Sequence, residues 1–170
     1  MTATASIDEA WAVLEGLADP EIPVISLREL GILREIREAD DGLEVVITPT
    51  YSGCPAMEQI HDDILSLMAK HGFKAKVVTQ LSPAWTTDWM TEEGKEKLRQ
   101  YGIAPPTHKV SDVAVVKFMP RTAAVKAEVV PCPRCGSSNT QESAHFGSTA
   151  CKALYRCQDC HETFDYFKPY

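Results

Sequence analysis

The sequence predicts an α/β fold in which helices cover a small mixed sheet, followed by a short C-terminal metal-binding ribbon. Two observations lead to this prediction. Segments of helical periodicity alternate with short β-branched segments in the first half of the chain, an order typical of a helix-covered sheet. The C-terminal part then holds two Cys-x-x-Cys pairs, a spacing typical of metal sites. At 170 residues, 44% of them hydrophobic, the chain can bury one ordinary core and a small additional module.

Turn and cap signals delimit the elements of the first half. Ser6 and Glu9 form a capping box ahead of a helical pattern, and Asp-Asp-Gly at 40–42 is a strong hairpin turn signal. Pro55 suits the first position of a helix that Gly72 ends. The predicted elements are, in order, a helix over 7–17, strands over 32–37 and 43–48, a helix over 55–71 and a strand over 74–81.

The residues after the last of these strands are less regular. A loop containing two tryptophans occupies 82–90, and 92–101 forms a short polar helix. Residues 113–118 suit an edge strand. We therefore expect three segments, which are a first domain over 1–120, a linker over 121–130 and the ribbon over 131–170.

The net charge of −7 lies entirely in the first part of the chain. Residues 1–130 carry 13 basic and 20 acidic side chains, whereas residues 131–170 carry four of each. An acidic body with a neutral ribbon lacks the basic surface that phosphate binding requires, so the sequence predicts protein partners and no nucleic acid.

The sequence also indicates a cytoplasmic location and no membrane association. It has no apolar run of about 18 residues, and its start lacks a basic leader followed by an apolar stretch. In that compartment the six cysteines serve as metal ligands or reactive thiols more often than as disulfides.

The ribbon is predicted to hold one structural zinc ion through Cys132, Cys135, Cys157 and Cys160. Each Cys-x-x-Cys turn aims two thiolates at one ion, and 21 residues separate the two pairs. A segment of this size rarely forms a core alone, so the metal would drive its folding. Four thiolates leave no open position for catalysis.

Three alternatives for the ribbon remain open at this stage. The pairs could form disulfides or redox thiols, a single iron ion could replace zinc, and Cys151 could replace one of the four ligands.

Cys54 is the candidate reactive thiol of the first domain. It stands where a predicted strand turns through Gly53 into the helix that begins at Pro55. Free amides and the positive end of the helix dipole lower the pKa of a thiol there, which favours a nucleophile or a metal ligand. A buried, inert cysteine at a helix start is the alternative.

Asp19 and Glu21 lie in a two-proline loop and are candidates for residues near Cys54. Carboxylates in such loops more often face solvent or cap a neighbouring element. No Ser-His-Asp order, phosphate-binding loop or dinucleotide motif is present, and no complete di-iron motif, so we expect no catalytic residues.

Two segments of the first domain resemble a known family. Asp-Pro-Glu-Ile-Pro-Val-Ile-Ser-Leu-Arg-Glu-Leu-Gly (19–31) and Thr-Pro-Thr-Tyr-Ser-Gly-Cys-Pro-Ala (48–56) are similar to the SufT-like Fe-S assembly domain. Members of that family help to place iron-sulfur clusters in client proteins, and the resemblance covers about residues 6–82. It implies that Cys54 is a cluster ligand, with Asp19 and Glu21 tuning it or contacting a partner.

A second resemblance extends over nearly the whole chain. Residues 82–106, which run from Ser-Pro-Ala-Trp-Thr-Thr-Asp-Trp-Met to Ala-Pro-Pro, together with the four-cysteine ribbon, resemble the family of D subunits encoded with phenylacetyl-CoA epoxidase. That resemblance implies an accessory role in aerobic phenylacetate breakdown, with the iron-sulfur and flavin reductase of the epoxidase system as the client.

Two hypotheses follow from these resemblances. In the first, the protein delivers or matures an iron-sulfur cluster held transiently at Cys54, whose missing ligands come from outside thiols, a homodimer or the client. In the second, it is a non-catalytic structural or assembly subunit without cluster chemistry. Trp85 and Trp89 would be partner-binding anchors in either case, or else pack on the sheet.

Overall fold

A computed structural model describes residues 7–107 and 129–170. The chain divides into two compact units, the first made of Met1–Trp85 and Trp89–Gly94 and the second of Thr86–Asp88 and Lys95–Tyr170. The predicted edge strand at 113–118 and most of the predicted linker at 121–130 lie outside the described residues. The domain boundary near residue 120 therefore stays a prediction.

The first unit is the mixed α/β layer that the sequence predicts. Strands β1 and β2 are antiparallel, β2 and β3 are parallel, and the sheet order is β1-β2-β3. Helix α1 contacts α2 and β1, and α2 contacts β3. The elements are α1 (Ile7–Leu14), β1 (Leu33–Ala39), β2 (Gly42–Ile47), α2 (Met57–Lys70) and β3 (Ala75–Thr79).

The core of this unit forms around β2, because this central strand is buried along nearly all of its length. Helix α2 contributes one face, at the i, i+4 and i+8 positions Ile60, Ile64 and Met68, all of which are buried. Helix α1 adds Ala10 and Leu14, both fully buried. The apolar spacing gives each helix one hydrophobic face, and burial of that face holds the helices on the sheet.

Connections around the sheet depend on close backbone approaches. Gly42 closes the β1–β2 hairpin with φ +133°, and a Cβ atom there would lie 2.1 Å from the carbonyl oxygen of Lys74. Only glycine fits both conditions. The amide of Leu43 donates to that same oxygen at 2.8 Å, which ties the hairpin turn to the start of β3.

Two helix ends differ from the predicted ones. Helix α1 ends at Leu14 because the chain then turns, with the amide of Leu17 donating to the carbonyl of Leu14 at 3.1 Å. Helix α2 begins at Met57 and not at Pro55, because Cys54 to Met57 form a turn of their own in which the amide of Met57 donates to the carbonyl of Cys54 at 3.4 Å.

The second unit contains the ribbon as a four-stranded sheet of order β4-β7-β6-β5. Strand β6 is antiparallel to both β5 and β7, and β4 is parallel to β7. The chain reaches this sheet through a 3-10 turn at Thr87–Trp89 and helix α3 (Glu92–Tyr101). The strands are β4 (Ile103–Ala104), β5 (Thr140–Ala144), β6 (Lys152–Cys157) and β7 (Thr163–Phe167).

Aromatic side chains fill one face of the ribbon sheet. Tyr155 stacks on Phe164 at 6.0 Å between ring centroids and meets Tyr166 edge to face at 5.4 Å. The same small core also contains Ala104, Val130 and two cysteines, Cys132 and Cys157. This core is small and includes two of the four clustered cysteines, so we expect a metal ion bound by the cysteines to supply the rest of the ribbon's stability. None of the helices in the described ranges is long and apolar enough to cross a membrane.

Candidate metal centre and reactive thiol

The four predicted cysteines converge at one end of the ribbon. Cys132 and Cys135 lie in the turn before β5, Cys157 ends β6, and Cys160 lies in the turn before β7. Their four Sγ atoms all lie within 4.8 Å of one another. Within residues 7–107 and 129–170 this is the one group of three or more potential ligands arranged to hold a metal ion.

The sulfur spacing fits a tetrahedral ion. Metal–sulfur bonds of about 2.3 Å place the corners of a tetrahedron about 3.8 Å apart. The observed distances are 3.8 Å between the Sγ atoms of Cys132 and Cys160 and 3.6 Å between those of Cys135 and Cys157. Such an all-thiolate site selects zinc or iron, and every position of the tetrahedron is taken by protein.

The local backbone favours thiolate at one corner of the cluster. Hydrogen bonds from the backbone of Cys160, aided by the backbone of Asp159 and the neighbouring thiols, lower the pKa of Cys157 to about 7 against the effect of burial. At Cys135 the backbone of Ser137 also favours thiolate, but desolvation of the sulfur and the other three thiols outweigh it and raise the pKa to about 12. Four thiolates therefore need a cation between them.

Cys151 is not part of this cluster. The four clustered sulfurs belong to the other four ribbon cysteines. Cys151 is buried directly before β6, with its Sγ atom 3.0 Å from the Thr149 hydroxyl oxygen. The geometry thus favours the four ligands of the two Cys-x-x-Cys pairs over the alternative that includes Cys151.

Cys54 lies in a half-buried position in the turn that leads into α2. Its amide donates to the carbonyl of Tyr51 at 3.2 Å, and its own carbonyl accepts from the amide of Met57. The chain is buried before this turn at Thr50 and after it at Ala56. Buried residues thus fix both ends of the turn, which presents Cys54 at the surface of the first unit.

Asp19 has a structural task inside the proline loop. It is only 6% exposed, and its Oδ1 atom accepts hydrogen bonds from the amides of Glu21 at 2.9 Å and Ile22 at 2.8 Å. The carboxylate therefore caps the turn of its own loop. The side chain of Glu21 is exposed, so the two acidic residues of this loop have different environments.

The two tryptophans also differ. Trp85 is 5% exposed, and its Nε1 atom donates to the carbonyl of Leu30 at 3.1 Å. Trp89 is half-buried, with its backbone against Gly31, and the Arg34 guanidinium lies over its ring at 3.5 Å. The burial of Trp85 favours packing within the first unit, which leaves Trp89 as the more accessible candidate anchor.

Two features of these sites were missed by the sequence interpretation. The stacking of Arg34 on Trp89 joins residues far apart in sequence, and no local sequence pattern predicts it. The hydrogen bonds of Asp159 to residues beyond the first cysteine pair were missed as well. Their one visible signal is an acidic residue directly before the last cysteine.

Comparison with known protein families also divides the chain into two parts. Residues 7–77 match the family described as "Iron-sulfur cluster assembly protein", and residues 119–168 match the "PaaD zinc beta ribbon domain". A solved domain of unknown function from Bacillus anthracis, 23% identical, has the same fold with a TM-score of 0.50, covering 54% of this chain and 90% of that one.

Two curated relatives extend these matches. The "Fe-S protein maturation auxiliary factor" of Porphyromonas gingivalis is 33% identical over 51% of this chain and 84% of its own length. The putative D subunit of the 1,2-phenylacetyl-CoA epoxidase of Escherichia coli is 47% identical over 98% of this chain and 94% of its own length.

The fold and the cysteine cluster together define a protein of two modules, an iron-sulfur assembly domain followed by a zinc β ribbon. Since the similarity to the Escherichia coli protein covers nearly all of both chains, the chain belongs to PaaD, the family of phenylacetyl-CoA epoxidase D subunits.

Metal removal tests the dependence of the ribbon on its ion. We expect a chelator under reducing conditions to abolish amide-exchange protection in β5, β6 and β7 while β1 to β3 stay protected, because the metal supplies the missing core of the ribbon. Hydrogen-exchange mass spectrometry of the full chain measures this. Cys160→Ser should lose the metal and Cys151→Ser should retain it. Protected ribbon strands in a verified metal-free sample would contradict the account.

The different environments of Asp19 and Glu21 predict different effects on the stability of the protein. Asp19→Ala removes a buried cap of two amides, so we expect the free energy of unfolding to fall by about 1–3 kcal/mol, whereas Glu21→Ala should change it by less than about 0.5 kcal/mol. Urea unfolding of both variants measures the difference. Equal stability of Asp19→Ala and the wild type would show that the cap is dispensable.

Proposed function

We propose that the protein is an accessory factor of a phenylacetyl-CoA epoxidase system in phenylacetate catabolism, and that it delivers iron-sulfur clusters to the oxygenase and reductase complex or matures that complex. The observation that carries this proposal is the position of Cys54, a half-buried thiol in a hydrogen-bonded turn of a domain that matches the iron-sulfur assembly family. A relative named for maturation of Fe-S proteins is 33% identical over 51% of this chain, which supports the same role.

Cys54 would hold its cluster cargo transiently. In the described residues no group of three or more metal-binding side chains includes Cys54, and one thiolate cannot satisfy a cluster that takes four ligands. The remaining ligands therefore come from the client's cysteines, from small thiols or from a second copy of the chain. Release is then a ligand exchange, in which client thiolates replace Cys54 without a change in oxidation state.

The zinc ribbon acts in this proposal as a docking module. The thiolates of Cys132, Cys135, Cys157 and Cys160 would all bind the zinc ion, which leaves no coordination position for a substrate. The ribbon carries as many basic as acidic side chains, so a protein surface suits it better than nucleic acid.

Trp89 is the accessible aromatic candidate for contact with the client. Its half-buried ring is held in place by Arg34, and tryptophan and arginine are the residue types that most often dominate binding energy at protein interfaces. The client we propose is the iron-sulfur and flavin reductase, the location is the cytoplasm, and the protein itself performs no catalysis.

A structural role is the second candidate function. The similarity to a protein named as part of the epoxidase favours an assembly subunit that remains in the complex, with Cys54 inert. Co-purification in a fixed ratio, without iron bound to this chain after anaerobic reconstitution, would favour that role.

Replacement of Cys54 tests the delivery role. When the epoxidase proteins are produced together with Cys54→Ser, we expect the iron and acid-labile sulfide of the reductase to fall to the level found without this protein, because serine does not hold iron as a thiolate does. Cluster content is measured by metal analysis and visible absorption of the purified reductase.

Ser52→Ala is the matched control, because Ser52 is an exposed residue of the same turn. It should leave the cluster content of the reductase unchanged. An unchanged cluster content with Cys54→Ser, at equal amounts of folded protein, would rule out the delivery role.

A further inference from the structure

A carboxylate joins the two halves of the metal site without touching the sulfurs. The first knuckle is defined as residues 132–135 and the second as residues 157–160. Asp159, in the second knuckle, accepts a hydrogen bond from the Asn139 side-chain amide at 2.8 Å and another from the Ser137 hydroxyl. Both donors lie in the segment that directly follows the first knuckle.

Backbone contacts continue this link on both sides. The Asn139 amide donates to the Ser137 hydroxyl oxygen at 3.0 Å, and the amide of Gln158 donates to the Asn139 carbonyl at 2.8 Å. On the other side, the amide of Cys132 donates to the carbonyl of Ser137 at 2.9 Å. The chain of contacts thus runs from a ligand of the first knuckle to the turn of the second.

We propose that Asp159 is a positioning residue of the metal site, whose carboxylate fixes the second knuckle against the segment that follows the first. Asp159 does not bind the metal and acts through Ser137 and Asn139.

The Asp159 carboxylate can favour zinc binding through the geometry of its hydrogen bonds, but not through its charge. A zinc ion with four thiolates carries a net charge of −2, so a nearby carboxylate raises the electrostatic energy of the loaded site. The two hydrogen bonds act in the opposite direction, because each carboxylate oxygen receives one donor from across the site.

The size of the effect follows from the exposure of the bridge. Removing the partners that orient metal ligands typically lowers metal affinity by roughly 10- to 100-fold. Both hydrogen bonds of Asp159 are exposed to solvent, which weakens such bonds. We therefore expect a loss of about tenfold, at the lower end of that range.

Chelator competition on the full chain tests the proposal. We expect Asp159→Ala to bind zinc about tenfold more weakly than the wild type, and Ser137→Ala and Asn139→Ala each to lose less. Asp159→Asn keeps one oxygen acceptor and should recover part of the affinity. Gln158→Ala is the matched control, because its side chain is exposed in the same turn, and it should bind zinc like the wild type.

The absorption spectrum of the cobalt-substituted protein tests the positioning role separately from stability. A residue that only stabilised the fold would leave this spectrum unchanged. The ligand-field bands of cobalt report the angles between the four sulfurs, so we expect them to shift in Asp159→Ala and to be unchanged in Gln158→Ala. Ser137→Ala and Asn139→Ala decide the matter if Asp159→Ala does not fold, since each removes a single donor.

Wild-type zinc affinity and an unchanged cobalt spectrum in Asp159→Ala would overturn the proposal. So would a loss in Asp159→Ala that Asp159→Asn does not relieve, combined with wild-type affinity in Ser137→Ala and Asn139→Ala. The outcome is independent of the cluster-delivery role, because Cys54→Ser should leave zinc affinity unchanged.

Discussion

The ribbon depends on one electrostatic constraint, the gathering of four cysteine sulfurs within 4.8 Å of one another. Four thiolates this close repel each other strongly, and four protonated thiols gain little from their proximity, so a divalent cation is what makes the arrangement stable. The apolar core beside the cluster is small and contains two of the cysteines. We therefore expect metal binding and folding of the ribbon to be one process.

The first unit obeys a different constraint, burial of apolar surface on a central strand. Strand β2 lies between β1 and β3 and is buried along nearly all of its length, and the segment that leaves it turns before α2 begins. Cys54 occupies that turn. In the described residues no group of three or more metal-binding side chains includes Cys54, whereas the four clustered cysteines of the ribbon form a closed set of ligands.

Local sequence signals predicted most of this arrangement. Helical spacing located α1 and α2, the Asp-Asp-Gly turn located the β1–β2 hairpin, and the two Cys-x-x-Cys pairs identified the cluster. Packing of Trp85 was one of two alternatives that the sequence left open. Contacts between distant segments leave no local pattern, so neither the hydrogen bond of Trp85 to Leu30 nor the bridge made by Asp159 could be predicted. Helix α2 begins two residues after the predicted start at Pro55, because the segment at Cys54 forms a turn and a proline is compatible with a turn as well as with a helix start.

The central proposal is that the chain has two metal-binding places of different kinds, a closed zinc site in the ribbon and a single cysteine, Cys54, that holds a cluster transiently. Anaerobic reconstitution with iron and sulfide, followed by metal and sulfide analysis of the wild type and Cys54→Ser, tests it most directly. We predict about one zinc ion in both proteins, and additional iron and sulfide in the wild type alone. Equal iron and sulfide in the two proteins, or iron in place of zinc in Cys54→Ser, would contradict the account.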